Sequence, residues 1–141
     1  MRTLNTFSEE PKAVEVIVVD KTANVYIREN IESHTVEDFD GTERTEWTAV
    51  EYSARLVHTK DFAVTEDLIE QIKTAEYNKA AKEIRAMRDA LLAESDKEVL
   101  PDRLNKNSNL FKAWSEYREA LRDIPEQEGF PYDVEFPKKP E

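Results

Sequence analysis

The chain has 141 residues, 31 acidic and 20 basic, for a formal charge of −11. With 39% hydrophobic and 36% charged residues it cannot fill a large interior, so one domain or two very small ones are expected. No cysteine and only two histidines exclude a disulfide framework, a thiolate nucleophile, a zinc–thiolate site and a multi-histidine metal centre.

The longest apolar run, Val16 to Val19, is far too short to cross a bilayer, and Met1 to Pro11 lack a signal-peptide core. A soluble chain of cytoplasmic type is the expectation. Acidic residues outnumber basic ones in both halves, and no lysine/arginine stripe forms. Nucleic acid and anionic membranes are therefore unsuited as partners, which leaves protein.

In chain order, residues 1–12 show little periodicity and read as a loose leader. Ala13 to Val19 is rich in β-branched residues and predicts a strand covered on both faces. Asp20 to Ala23 predicts a tight turn. In Asn24 to Glu29, Val25 and Ile27 alternate with Tyr26 and Arg28, as in a hairpin. A second hairpin is signalled by Asp40-Gly41 between Ile31–Val36 and Glu46–Val57. On the last strand Val50, Tyr52, Ala54 and Leu56 share one face. Trp47, Ala49, Glu51 and Arg55 share the other, expected to be mostly wet.

At Thr65 the period changes from two to that of a helix. Thr65 can cap a helix with Glu66 and Asp67 in its first turn, and neither proline nor glycine interrupts residues 65–95. Leu68, Ile69, Ile72 and Ala75 mark its apolar face, continued by Tyr77, Ala81, Ile84, Met87 and Leu91. Leu100-Pro101 ends this region, and Asn105 to Asn109 forms a polar loop. Ser108 or Asn109 can then cap a second helix carrying Phe111, Trp114, Tyr117 and Leu121, closed by Pro125. Gly129 to Pro140 holds three of the six prolines and predicts an extended tail. The fold expected is α+β. An antiparallel β domain spans residues 1–64, and a helical hairpin with its tail spans residues 65–141.

No catalytic signature emerges. His34 and His58 lie on strands without a nucleophile elbow or an oxyanion glycine loop, and read as ordinary strand histidines. Asp38, Asp40, Gly41 and Glu43 hint at a calcium loop, but the remaining ligands do not follow at loop spacing; an acidic turn fits better. Gly41 and Gly129 are the only glycines, so neither a P-loop nor a dinucleotide fingerprint is present. The reading is a non-enzyme without catalytic residues, cofactor or metal.

The aromatic residues say more. Trp114 and Tyr117 lie three apart on the second helix, in a stripe with Leu121 that suits packing against Ile84, Met87 and Leu91. Arg85, Arg88, Arg118 and Arg122 read as solvated helix faces. Phe130, Tyr132, Val134 and Phe136 recur at every second position, so an extended chain would point all four to one side. Burying them is worth about 6–10 kcal/mol, which favours a tail folded back on the helices over one left free. Trp114, Tyr117, Phe130, Tyr132 and Phe136 are the candidate partner-binding residues.

From Ile84 onward four blocks occur in order: Arg88 to Asp96 (RDALLAESD) with Leu100-Pro101-Asp102, Ala113-Trp114 with Tyr117-Arg118, Ala120 to Pro125 (ALRDIP), and Gly129-Phe130-Pro131 with Pro137. Together they resemble the phage tail assembly chaperone family, with Lys97, Tyr132 and Phe136 where that family carries tryptophan. The first half is more loosely similar to small strand-rich tail-region proteins of Gram-positive phages and prophages. The resemblance implies a non-enzymatic tail-assembly protein acting in the host cytoplasm, a chaperone for a tail fibre or receptor-binding protein. The alternative it implies is a permanent virion part, a small baseplate or fibre-attachment subunit. A homo-oligomer is compatible with either.

Overall fold

Strand β1 (Arg2–Phe7), β2 (Val14–Val19), β3 (Thr22–Glu37) and β4 (Glu43–Val57) precede helix α1 (Glu66–Ser95) and helix α2 (Asn109–Arg122) in the computed structural model. Short 3₁₀ turns follow each helix, at Asp96–Val99 and Ile124–Glu126. The structure describes residues 1–100 and 108–140; Pro101 and the loop positions Asn105 to Asn107 lie outside the described residues. The architecture is α+β. Two compact units divide the chain, Met1–Glu76 and Tyr77–Glu141.

In the first unit all pairings are antiparallel and the strand order is β1-β4-β3-β2. The turn expected over Asp20 to Ala23 is there but tighter: Val19 already pairs with Thr22, so it is confined to Asp20 and Lys21, and Asp20 takes a positive φ of 55°, which a short polar side chain tolerates. The acidic hairpin tip is also as expected, with Gly41 at φ 81° and the Asp40 carboxylate accepting from the Thr42 amide at 3.0 Å. Asp40 is thereby held below the usual carboxylate range, chiefly by hydrogen bonds from the Thr42 hydroxyl and amide. Asn24–Glu29 and Ile31–Val36 are parts of one strand. The register shifts between Glu29 and Glu32, where Asn30 has φ 52°. Such a bulge reverses the phase of alternation, so odd positions face the core before it and even positions share that face after it.

Val25, Ile27, Tyr52 and Ile72 form the core of this unit, with Val50, Ala54, Leu56, Phe62, Val64, Leu68 and Ile69 packed around them. The first turns of α1 thus cover one face of the sheet. Thr65 starts the helix by accepting from the Leu68 amide at 3.2 Å, and Lys73 pairs with Glu29 of β3 at 2.6 Å.

Three expectations change. Residues 2–7 are no loose leader, because the free edge of β4 gives β1 a full ladder from Arg2 opposite Tyr52 to Phe7 opposite Trp47. Backbone pairing makes this strand, and Leu4 stays exposed, so no apolar period announced it. Strand β2 is not covered on both faces: it is an edge, and Val14, Val16, Ile17, Val18 and Val19 are all exposed. Finally, the far face of β4 is not wet at its centre, where Ala49, Glu51 and Arg28 are buried.

That face closes around a guanidinium. Arg28 Nε donates to Glu51 at 2.8 Å, Nη2 to Glu15 at 2.9 Å and Nη1 to the Lys12 carbonyl at 3.1 Å. The rings of Phe7 and Tyr26 lie 5.0 and 5.6 Å from it, and Asn5 donates to the other Glu51 oxygen at 2.9 Å. Burial opposes the charge on Arg28, but the hydrogen bonds to Glu51 and Glu15 outweigh it and raise its pKa further. Replacing Arg28 by alanine strands Glu51 without its cation, and should cost the first unit about 3–5 kcal/mol. Arg44→Ala, which breaks exposed pairs with Asp38 and Glu46, should cost less than about 1 kcal/mol. Amide hydrogen exchange across β3 and β4 in both variants checks the contrast.

Candidate partner-binding surface

The second unit is built from residues 77–95 of α1, from α2 and from the segment that follows. Ser108 accepts from the Phe111 amide at 3.1 Å and starts α2. Periodic spacing then places Trp114, Tyr117 and Leu121 on one buried face, joined by Ile124 from the 3₁₀ turn at Pro125. Trp114 and Tyr117 meet edge to face, with ring centroids 5.7 Å apart at 89°. Ile84, Leu91, Leu92 and Val99 pack against this cluster. Met87, expected among them, is instead 51% exposed.

Arg118 is not a solvated charge. Its Nη1 donates to the Leu92 carbonyl at 2.9 Å and to Ser95 Oγ at 2.6 Å, and its Nη2 meets Asp96 at 2.8 Å. Ser95, almost fully buried, also donates to the Leu92 carbonyl at 2.8 Å. The last turn of α1 has no basic residue of its own. A cation from α2 therefore supplies the hydrogen bonds and the charge that a helix C-terminus favours.

Past Glu126 the chain folds back, as the sequence favoured. Phe130, Val134 and Phe136 pack against the Trp114 cluster. The Gln127 side chain makes two hydrogen bonds of 2.8 Å to the backbone of Glu135. Lys139 pairs with Glu94 of α1, which holds the Glu94 carboxyl below its ordinary range and Lys139 above its own. The four-residue row is not one extended face, however. Tyr132 and Asp133 both donate backbone hydrogen bonds to the Gly129 carbonyl, at 2.8 and 2.7 Å, so the chain turns there. A Cβ on Gly129 would lie 1.9 Å from the Asp133 carbonyl oxygen; only glycine permits this approach.

The turn sends Tyr132 to a separate aromatic group. The Tyr77 ring stands edge-on to Phe130 and Tyr132, with centroids 6.4 and 6.3 Å away, and the Arg85 guanidinium lies 5.2 Å from the Phe130 ring centre. Tyr77 is 42% exposed and Tyr132 half-buried. Of the five candidates, then, Trp114 and Tyr117 are core, Phe130 and Phe136 lie against that core, and Tyr132 lines a patch open to solvent. Sequence reasoning missed Tyr77 and Arg85 as parts of that patch, since both sit on helix positions with ordinary spacing.

Residues 81–141 match the family of phage tail assembly chaperone protein, which agrees with the resemblance seen in the sequence and supports a role in tail assembly. No curated protein and no solved structure matches the chain. Among the described residues, no helix is long and apolar enough to cross a membrane.

Two substitutions examine the packing. Trp114→Ala removes a buried indole and should lower the stability of the second unit by about 3–5 kcal/mol; an unchanged thermal midpoint would contradict the core assignment. Gly129→Ala forces the Asp133 carbonyl away and should lower the melting temperature, whereas an alanine at exposed Glu128 should leave it nearly unchanged.

Proposed function

We propose that this protein is a non-enzymatic assembly factor that binds a tail fibre or receptor-binding protein while phage tails are being built in the host cytoplasm. The observation that carries this reading is the match of residues 81–141 to phage tail assembly chaperone protein. A subunit that awaits its assembly partners exposes an apolar interface patch, and a small acidic protein can cover such a patch without chemistry. Because Trp114 and Tyr117 are consumed by the core, the binding role falls to the open aromatic patch of Tyr77, Phe130 and Tyr132, flanked by Arg85. Rigid aromatic rings beside an arginine are the residue types that dominate binding energy at protein interfaces.

The test is co-expression with a tail-fibre protein of the same phage, followed by affinity capture. Wild-type protein should raise the soluble yield of the fibre and co-purify with it. Tyr132→Ala should weaken capture about tenfold with little change in melting temperature. Mass spectrometry of purified virions separates this reading from that of a small baseplate or fibre-attachment subunit. A chaperone is absent or far below stoichiometric amounts; a structural subunit is present at a fixed ratio. Deleting residues 129–141 adds a check on the tail: unchanged melting with lost capture would make that segment a binding strand rather than part of the core.

A further inference from the structure

We infer that the outer edge of β2 pairs with β2 of a second copy of this chain, joining two four-stranded sheets into one across a two-fold axis. This inference rests on the first unit and is independent of the partner proposed above. Strand β2 ends the sheet, and among the described residues β3 is its only neighbour. The ladder to β3 includes the Arg28 amide donating to the Ala13 carbonyl at 2.7 Å. Alternate residues therefore turn Ala13, Glu15, Ile17 and Val19 toward β3, and the backbone groups of Val14, Val16 and Val18 outward.

Natural edges are blunted by lysine, proline or bulges. This one carries none between Val14 and Val19, no register shift with β3, and side chains 38–57% exposed at Val14, Val16, Ile17, Val18 and Val19. Val14, Val16 and Val18 stand opposite Ile27, Val25 and Ala23, so they prolong the row that includes core residues Val25 and Ile27. A matching row from outside would continue that core.

Charge selects the occupant and the register. If two β2 strands run antiparallel with Val16 facing its own copy, Val14 faces Val18 and Glu15 faces Ile17, so no glutamate faces a glutamate. Beyond the strand, two residues before Val14 and one after Val19, Lys12 then faces Asp20 of the other copy, twice by symmetry. Both residues are exposed, and neither has an ion pair among the described residues. Centring on Glu15 instead sets the two glutamates against each other, which is destabilising. Charge thus favours the register centred on Val16 over the one centred on Glu15.

Light scattering of the full chain over a concentration series should show a dimer that dissociates on dilution. Because the chain has no cysteine, single cysteines report the register. Val16→Cys should form an intermolecular disulfide under mild oxidation, and Val14→Cys should not, since its copy lies about four residues along the strand, roughly 13 Å away. Val16→Pro removes only an outward amide and should give a monomer. Lys12→Glu, on the surface and harmless to the fold, should weaken the dimer about tenfold. A wild-type monomer at every concentration overturns the inference. So does a dimer that persists unchanged in Lys12→Glu, or one in which Val14→Cys crosslinks as readily as Val16→Cys.

Discussion

A shortage of apolar surface shapes this protein. Among the described residues each of its two cores centres on four buried side chains, and each unit is completed by a guanidinium held among oxygen atoms. In the first, Arg28 links β3 to Glu15 of β2 and Glu51 of β4, and Asn5 extends the network to β1. In the second, Arg118 ties α2 to the C-terminal end of α1 through Leu92, Ser95 and Asp96. A planar group with five donors in a fixed fork satisfies several acceptors at once, which a lysine does not. Such groups add geometric definition where hydrophobic packing is thin, while their removal exposes buried oxygens to loss of every partner.

The blocks that carry the family likeness are parts of this same packing. Ser95 and Asp96 close the RDALLAESD run, and both receive Arg118 from the Tyr117-Arg118 pair. Leu121 and Ile124 of the ALRDIP run are fully buried, and Gly129 of the fourth block permits the turn that brings Phe130, Val134 and Phe136 home. The shared residues describe how the second unit folds. The open patch at Tyr77 and Tyr132 rests partly on positions outside those blocks.

The helices were legible because period, caps and terminators agree: Thr65 and Ser108 cap as read, and Pro125 lies just past the end of α2. The hairpins were legible from Asp20 and Asp40-Gly41. The continuity of β3 was not, because a bulge at Asn30 resets the alternation that defines a strand in sequence. Strand β1 was invisible for a different reason: its identity lies in a ladder to residues 47–52, far along the chain. Edge and centre are likewise non-local, so a valine-rich run such as Val14–Val19 reads as buried although its neighbour is missing. The fate of the charged and aromatic side chains was least legible. Whether Arg118 is wet or Tyr132 joins the core depends on where another segment ends, and spacing within one element does not carry that information.

The tip of the β3–β4 hairpin has a practical corollary. Phe39 stands there fully exposed, on a loop closed by the Asp38 amide donating to the Thr42 carbonyl at 2.9 Å. A protease that selects aromatic residues would find this bond before any other in the first unit, since chain cleavage favours exposed loop tips. The ladder between β3 and β4 runs on from Glu37 opposite Glu43 back to Thr22 opposite Val57, so a nick at Phe39 leaves two fragments held by many hydrogen bonds. The protein thereby offers its own split point, where reassembly of the sheet from separate pieces becomes a measurable binding reaction.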